Sequence, residues 1–256
     1  MESYDAIYRR LQREGHEAWT GSSYQRAHQQ LNATIGWLDA AQFIPTGGTF
    51  LELGCGNGAM ASHCFAEKGF RVFGVDISAV AVDWARSRFA ASGLSGCFDQ
   101  GDVCDLAHYP DATFDVVFDG SCFHCLIGPQ RAACLKALHR VLAANGTLII
   151  SSMCGAPKQR TDLDRYDAHS GVLMVNGHPW RTLKPLDALI AEIADAGFML
   201  VGQSVNVNPW WDHATLVYHK APSVCKRPGV LLECNGAENR RLSVCYSLNA
   251  VHKKSP

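Results

Sequence analysis

Apolar residues near the start of the chain recur at helical spacing. This spacing predicts one amphipathic helix over Ser3–Arg13 and a second over Ser22–Ala41. The stretch Gly15–Gly21 lies between them and predicts a loop that carries one tryptophan. The apolar positions of the two helices are Ile7 and Leu11, then Ala27, Leu31, Ile35 and Leu38.

From Phe50 to Ser152, short apolar runs alternate with segments of helical spacing. Phe50–Leu53 predicts a buried strand, and Ala59–Lys68 predicts the helix that follows it. Pro129–Ala143 predicts a helix that stops at Asn145-Gly146, and Thr147–Ser152 predicts the fifth strand. This alternation favours an α/β fold whose parallel sheet has helices on both faces.

The alternation stops after the fifth strand. Gly155–Lys184 is polar and predicts a long irregular stretch, which in a compact domain is usually functional or disordered. A helix with proline at its start and glycine at its end is expected over Pro185–Gly197. Phe198–Val207 and Ala214–Lys220 then predict two closing strands, and we expect Asn208–Trp211 to form the turn between them.

Composition narrows the class of protein. A chain of 256 residues can bury one large core, which fits one α/β domain better than two small ones. The formal net charge is −1, and no block of Lys and Arg precedes the C-terminal tail, which disfavours a nucleic-acid substrate.

Eleven cysteines fall mostly within predicted helices and strands, as Cys64, Cys97 and Cys134 do, without the spacing of a disulfide framework. The N-terminus lacks the pattern of a signal peptide, and no apolar run is long enough to span a bilayer. We therefore expect a cytoplasmic protein with no membrane partner, and a homodimer is possible.

The most informative motif is Glu52-Leu-Gly-Cys-Gly-Asn-Gly58, between the first strand and its helix. Its glycines allow a tight turn and a close approach of the backbone to a ligand, and the amides that open the helix would face that ligand. Gly54, Gly56 and Ala59 also satisfy a loose dinucleotide fingerprint. Glu52 argues against that alternative, because a carboxylate would repel a pyrophosphate and would suit a cationic cofactor.

The motif closely resembles motif I of the class I S-adenosylmethionine-dependent methyltransferases, and three later segments follow in that family's order. Asp76 ends the second strand, where the family binds the ribose hydroxyls, and Ile77 follows it. Asp102 and Val103 stand where the family meets the adenine, and Asp119 ends the fourth strand beside the methionine part. The resemblance thus implies these cofactor-binding residues: Glu52, Gly54, Cys55, Gly56, Gly58, Asp76, Ile77, Asp102, Val103 and Asp119.

His124 is the candidate catalytic residue, because many small-molecule methyltransferases have a histidine after the fourth strand. A neutral imidazole there could accept a proton from the substrate, or the ring could simply pack and bond backbone. Arg160, Arg165 and Arg181 could hold a substrate carboxylate, although loop arginines are more often solvated. The expected substrate pocket comprises Trp19, Tyr24, Cys122, Cys154, Tyr166 and Trp180.

Cys122, Cys125 and Cys154 could converge to bind a soft metal or to act in redox chemistry. A second Cys-x-x-Cys or a histidine pair is missing from the flanking sequence, so we favour core packing and expect no metal.

The resemblance implies a doubly wound, Rossmann-like sheet of seven strands, mostly parallel with an antiparallel last strand, and an N-terminal helical lid. We expect the lid over residues 1–45, the methyltransferase domain over 46–220 with an insertion at 155–184, and an extension of unknown role over 221–256. The implied activity is methyl transfer from S-adenosylmethionine to O, N or S of a small molecule. The alternatives are a methyltransferase for RNA or protein and a cofactor-binding module without catalysis.

Overall fold

The computed structural model describes residues 2–222 and the backbone of residues 244–247. The longer helices alternate with strands through the first two thirds of the chain, as the apolar pattern predicts. The helices are α1 (Tyr4–Arg13), α2 (Tyr24–Ala40), α3 (Ala61–Glu67), α4 (Ala79–Ser92), α5 (Pro129–Val141), α6 (Arg160–Leu163) and α7 (Leu186–Asp195).

The strands of the main sheet are β1 (Thr49–Leu53), β2 (Arg71–Asp76), β3 (Gly96–Gln100), β4 (Phe114–Asp119), β5 (Leu142–Cys154), β9 (Phe198–Asn206), β10 (Asp212–Lys220) and β11 (Val244–Ser247). They lie in the order β3-β2-β1-β4-β5-β10-β9-β11. β1 to β5 are parallel to one another, whereas β10 is antiparallel to both β5 and β9. The predicted mostly parallel sheet with an antiparallel closing pair is therefore confirmed, and β11 adds an edge strand beside β9.

Apolar clusters cover both faces of this sheet, which confirms the doubly wound arrangement. On one face the buried residues of α5 and α7 join the cluster that contains Leu51 and Leu148. On the other face α2, α3 and α4 pack around Phe50, whose ring stacks on Phe65 with the two centroids 3.9 Å apart. In open α/β sheets, ligands bind outside the carboxyl ends of the parallel strands. The loops that follow β1 to β4 are therefore where we expect a ligand.

The two N-terminal helices pack differently. α2 buries Ile35 and Leu38 in the core beneath the sheet, so it is an ordinary layer of the domain. α1 instead places Tyr8 and Leu11 on Ala81 of α4, outside that core. Of the predicted lid residues, α1 is therefore the part that lies over the carboxyl ends of the strands.

The insertion is ordered, so the expectation of an irregular stretch is wrong. It contains α6 and a three-stranded antiparallel sheet of β6 (Tyr166–Asp167), β7 (Val172–Val175) and β8 (His178–Thr182). Asn176 and Gly177 connect β7 to β8 with φ values of 52° and 76°. Positive φ at both positions is the turn that Asn-Gly favours between hairpin strands, which makes this dipeptide a missed signal for the hairpin.

The end of α5 also differs from the expectation. The helix ends at Val141, and Leu142 is already extended and paired with Phe114 of β4. The next pair is Val116 with Thr147, so Asn145 and Gly146 lie within an irregularity of β5 and do not stop the helix. Burial of Leu142 against β4 explains why the strand begins early.

The C-terminal extension over 221–256 falls outside the described residues except for residues 221–222 and 244–247, so its role stays open. Among the residues that the structure does describe, no helix combines the length and the apolar character needed to cross a membrane.

Candidate active site

The glycine loop follows β1 directly and turns the chain into α3. Gly54 and Gly56 have φ values of 59° and 54°, a region that residues with a side chain rarely adopt. A Cβ atom at Gly54 would lie 2.8 Å from Cβ of Cys122, and one at Gly56 would lie 2.8 Å from the hydroxyl of Tyr8. These positions therefore require glycine for both conformation and space.

Asp76 at the end of β2 holds this loop in place. Its Oδ2 accepts the N–H of Gly56 at 2.9 Å, and its Oδ1 accepts the N–H of Ser78 at 2.9 Å. Only 5% of the residue is exposed, and burial raises the pKa of the carboxyl despite these two donors. The carboxylate still has free lone pairs, so it can accept further hydrogen bonds from a ligand's hydroxyl groups.

Glu52, on β1, is the second carboxylate of the loop. Its Oε2 accepts the N–H of Ser62 at 2.7 Å and the hydroxyl of the same serine. Burial raises the pKa of this carboxyl to about 7. The loop from Glu52 to Gly58 thus carries an acid and no basic side chain, which suits a cationic ligand and disfavours a phosphate.

α1 lies over the loop. Ser78 donates its hydroxyl hydrogen to Asp5 at 2.6 Å, and Tyr8 reaches Gly56. The ring of Trp19 contacts both Tyr4 and Tyr8, with centroids 5.8 and 5.6 Å apart. α1 therefore covers the region of Gly56 and Asp76, and Asp76 is where the resemblance places the ribose.

The other predicted cofactor residues take different environments. Ile77 is 54% exposed, and Asp102 is exposed while it accepts the N–H of Cys104 at 2.8 Å. Both side chains are accessible for contact with a flat ring such as adenine. Cys55 and Val103 are buried, so their side chains belong to the floor of the loop region.

Asp119, at the end of β4, is fully buried. Its Oδ1 accepts the N–H groups of Cys122 and Phe123 at 2.7 and 2.8 Å. Burial raises its pKa to about 7. Asp119 shapes the turn after β4 through Oδ1, whereas its buried Oδ2 has no hydrogen-bond partner among the described residues. Its contact with the cofactor stays a prediction.

The turn after β4 carries His124. Ser121 in this turn has a φ of 104°, and such strain in a residue other than glycine is common at functional sites. His124 is 2% exposed, and its Nδ1 accepts the N–H of Met153 at 3.4 Å. That contact assigns the proton to Nε2, because a ring nitrogen that accepts a hydrogen bond carries no hydrogen.

Burial, and then the charge of Arg181, lower the pKa of His124 well below its usual value. The ring is therefore neutral, and its free Nε2–H can donate a hydrogen bond. The lone pair that a general base needs already faces Met153. This geometry favours a positioning role over proton abstraction.

Sequence reasoning missed several residues around His124. His213 of β10 lies 3.4 Å from the hydroxyl of Ser121, and burial lowers its pKa to about 4. Arg131 of α5 stabilises the turn, because it donates to the carbonyl of Phe123 and also forms two hydrogen bonds to Glu192 of α7. These partners come from distant segments, and no local pattern connects them.

The predicted pocket residues do not share one environment. Trp180 of β8 packs edge-on against Trp211, and Cys122 lies beside Gly54. Trp19 and Tyr24 lie on the α1–α2 side, where the hydroxyl of Tyr24 donates to the carbonyl of Ala59.

Tyr166 and Cys154 make contacts within the protein itself. The hydroxyl of Tyr166 donates to the carbonyl of Leu183 within the insertion. Cys154 is 1% exposed and packs in the apolar core, so its place in the pocket stays a prediction.

The sequence matches known methyltransferases. A profile of the methyltransferase domain matches residues 51–150. A ubiquinone biosynthesis O-methyltransferase of Pseudomonas paraeruginosa is 28% identical over 145 residues, which are 56% of this chain and 60% of that protein. Phosphoethanolamine N-methyltransferase 1 of Arabidopsis thaliana is 29% identical over 141 residues, or 53% of this chain and 28% of that protein. Both matches therefore span less than two thirds of the relative.

Solved structures share the fold at lower identity. A methyltransferase from Methanosarcina mazei superposes with a TM-score of 0.61 at 19% identity, over 71% of this chain and 96% of its own. The 1,6-didemethyltoxoflavin-N1-methyltransferase of Burkholderia thailandensis, solved with its substrate and S-adenosylhomocysteine, gives 0.59 at 18% identity over 87% and 92%. The domain match, the relatives and the strand order agree: residues 51–150 of this chain match the methyltransferase domain, and S-adenosylmethionine is its cofactor.

Proposed function

We propose that the protein transfers a methyl group from S-adenosylmethionine to an oxygen, nitrogen or sulfur atom of a small molecule. The observation that carries this proposal is the chemistry of the glycine loop. Glu52 at its start and Asp76 beside it present two carboxylates, and residues 52–58 contain no basic side chain. This set of groups fits a ligand with cationic centres, ribose hydroxyls and no phosphate.

The side chains of this protein would bind and orient the cofactor and the acceptor, because the methyl group on a sulfonium is already activated. Asp76 would accept hydrogen bonds from the ribose hydroxyls, and Glu52 would stabilise the positive charge nearby. His124 would donate from Nε2 to the acceptor and fix its direction of approach, and a protonated acceptor would lose its proton to solvent.

Enclosure of the site supports a small acceptor. α1 covers the glycine loop, and β8 packs on the turn after β4, where Thr182 donates its hydroxyl hydrogen to the carbonyl of Leu126 at 2.7 Å. We infer that α1 and the insertion form the lid and that Tyr8 moves away from Gly56 when cofactor enters. α2 stays with the core in this scheme.

The relatives act on different atoms: one is named an O-methyltransferase, and two are named N-methyltransferases. The acceptor atom of this chain is therefore left open among the three. A homodimer, a cytoplasmic location and the predicted division at residues 45 and 220 stay predictions within the same proposal.

Transfer of a labelled methyl group tests the proposal. Purified protein would be incubated with methyl-labelled S-adenosylmethionine and a panel of phenols, amines and thiols. We expect label in the small-molecule fraction, and we expect the Asp76→Ala variant to lose it. Label that appears only in added RNA or protein would contradict the proposal, as would tight cofactor binding without transfer to any class of acceptor.

A further inference from the structure

Arg181 of β8 is a buried guanidinium without a counter-charge. The residue is 9% exposed, and no carboxylate oxygen lies within 4.0 Å of it among the residues that the structure describes. Its Nη1 donates to the carbonyl of Trp180 at 2.8 Å, and its buried Nε has no hydrogen-bond partner there. An arginine carries five N–H donors, so most of this fork is available to a ligand.

The chain shows elsewhere how it neutralises a buried arginine. Arg131 is 3% exposed, and its guanidinium meets both carboxylate oxygens of Glu192 at 2.8 and 2.6 Å. Arg181 has only the ring of Trp180, 4.4 Å from its central carbon. A cation–π contact offsets part of the desolvation of a charge, but a buried cation ordinarily pairs with an anion.

The position of Arg181 points into the active site. β8 packs against the turn that carries His124 and Cys125, and Thr182, the next residue, is bonded to that turn. The charge of Arg181 acts on His124, on Cys125 and on Tyr4 of α1. Two of these groups belong to the turn after β4 and the third to α1, so Arg181 lies near both elements.

The neighbouring groups leave this positive charge uncompensated. Burial lowers the pKa of His124 and His213, which keeps both rings neutral. Burial raises the pKa of the Cys125 thiol and raises that of Tyr4 to about 12, so neither forms an anion at neutral pH. An anionic group of the right geometry would therefore find an open, desolvated fork.

We propose that Arg181 binds a carboxylate of the methyl acceptor, so that the substrates of this protein are small carboxylic acids. The inference rests on the proposed methyl transfer and deepens it. A carboxylate is also present on the cofactor itself. Arg181 lies on the insertion, where Trp180 packs on Trp211 just before β10 and the carbonyl of Lys184 accepts the N–H of Gly155 just after β5. This location outside the glycine loop favours the acceptor as the source of the carboxylate.

Matched pairs of acids and amides test this assignment. The probes are 3,4-dihydroxybenzoate against 3,4-dihydroxybenzamide and 2-aminobenzoate against 2-aminobenzamide, titrated by calorimetry into protein saturated with S-adenosylhomocysteine. Wild type should bind the acid about 10- to 100-fold more tightly than its amide, the range for a charge-assisted bidentate pair. Arg181→Gln should reduce this preference to about twofold or less while S-adenosylhomocysteine affinity stays unchanged.

Arg165→Gln is the matched control, because Arg165 lies on the same insertion but is exposed and paired with Asp162. It should keep the preference for acids. Removal of an uncompensated buried charge should also leave the melting temperature of ligand-free Arg181→Gln equal to that of wild type or higher. A lower melting temperature would make Arg181 a structural residue and overturn the assignment.

Two other results would also overturn it. One is wild-type protein that does not distinguish acids from amides in either pair. The other is an Arg181→Gln variant whose affinity for S-adenosylhomocysteine falls, which would assign the fork to the cofactor. Wild-type protein that binds no S-adenosylhomocysteine would instead refute the proposed function, so the two failures are distinguishable.

Discussion

Replacement of Glu52 by glutamine separates the two roles of this buried carboxyl. Glutamine keeps a carbonyl oxygen that can accept from the N–H and the hydroxyl of Ser62, but it cannot ionise. We therefore expect Glu52→Gln to stabilise the ligand-free protein at alkaline pH and to weaken its hold on a cationic cofactor. The variant should gain stability and lose function.

The magnitude follows from the pKa. Burial raises the pKa of Glu52 from 4.5 to about 7, so the folded protein binds a proton that the unfolded chain releases between those values. Stability from this group is present below pH 4.5 and is lost as pH rises towards 7. A difference of about 2.5 in pKa corresponds to about 3 kcal/mol in the free energy of unfolding. The advantage of the variant over wild type should therefore grow by about 2–3 kcal/mol from pH 5 to pH 8.

Urea unfolding at several pH values measures this gain, with Glu67→Gln as the control. Glu67 lies on α3 near Ser62, but its side chain is 61% exposed, so the control should follow wild type at every pH. A Glu52→Gln curve parallel to that of wild type would refute the reasoning, because Glu52 would then ionise in the folded state as easily as in water.

The same carboxyl should release a proton when cofactor binds. A cation beside Glu52 lowers its pKa, so calorimetry near pH 6.5 in buffers of different ionisation enthalpy should detect proton release on S-adenosylmethionine binding. Glu52→Gln should bind more weakly and release fewer protons. Equal affinity and equal release in the two proteins would separate Glu52 from the cofactor.

Three further predictions concern the loop, the turn and the lid. Gly56→Val should abolish cofactor binding while circular dichroism shows a folded protein. The control Gly15→Val should bind normally, because Gly15 also has a positive φ of 71° but a Cβ atom there would have no atom within 4 Å. Normal binding by both variants would show that the glycine loop is not part of the site. His124→Ala should lower turnover about 10- to 100-fold at unchanged cofactor affinity. The rate of the wild-type protein should show no imidazole inflection between pH 6 and pH 8, because the ring of His124 is already neutral there. Turnover of the variant within a few-fold of wild type would contradict the positioning role of His124. Amide exchange in α1 and β8 should slow when S-adenosylhomocysteine and acceptor bind while α2 stays unchanged, and identical exchange with and without ligands would refute the lid.

The elements that the sequence predicts well are those with local signals. The strand that ends at Glu52-Leu53 and the strand that ends at Asp76 are apolar runs closed by an acid, and each is followed by a helix with its own apolar spacing. The apolar runs predict the two closing strands, whereas their antiparallel pairing is what the resemblance implies. The β7–β8 hairpin was predictable too, because Asn176-Gly177 is a strong turn signal that the polarity of the insertion obscured.

The missed parts of the site depend on tertiary packing. Arg160, Arg165 and Arg181 look alike in sequence, yet only Arg181 is buried. Whether His124 accepts or donates depends on Met153, 29 residues away. The approach of Tyr8 to Gly56 likewise depends on how α1 packs on α4, which a pattern of apolar positions does not determine.

Titration of S-adenosylhomocysteine into the protein, beside NAD and beside the Asp76→Ala variant, tests the central claim most directly. Asp76 accepts from the glycine loop and has free lone pairs for the ribose, so its loss should weaken binding by about 2–4 kcal/mol, or roughly 30- to 1,000-fold. The account predicts tight binding of S-adenosylhomocysteine by wild type, no binding of NAD, and this loss in the variant. Binding of NAD, or equal affinity of wild type and Asp76→Ala for S-adenosylhomocysteine, would contradict it.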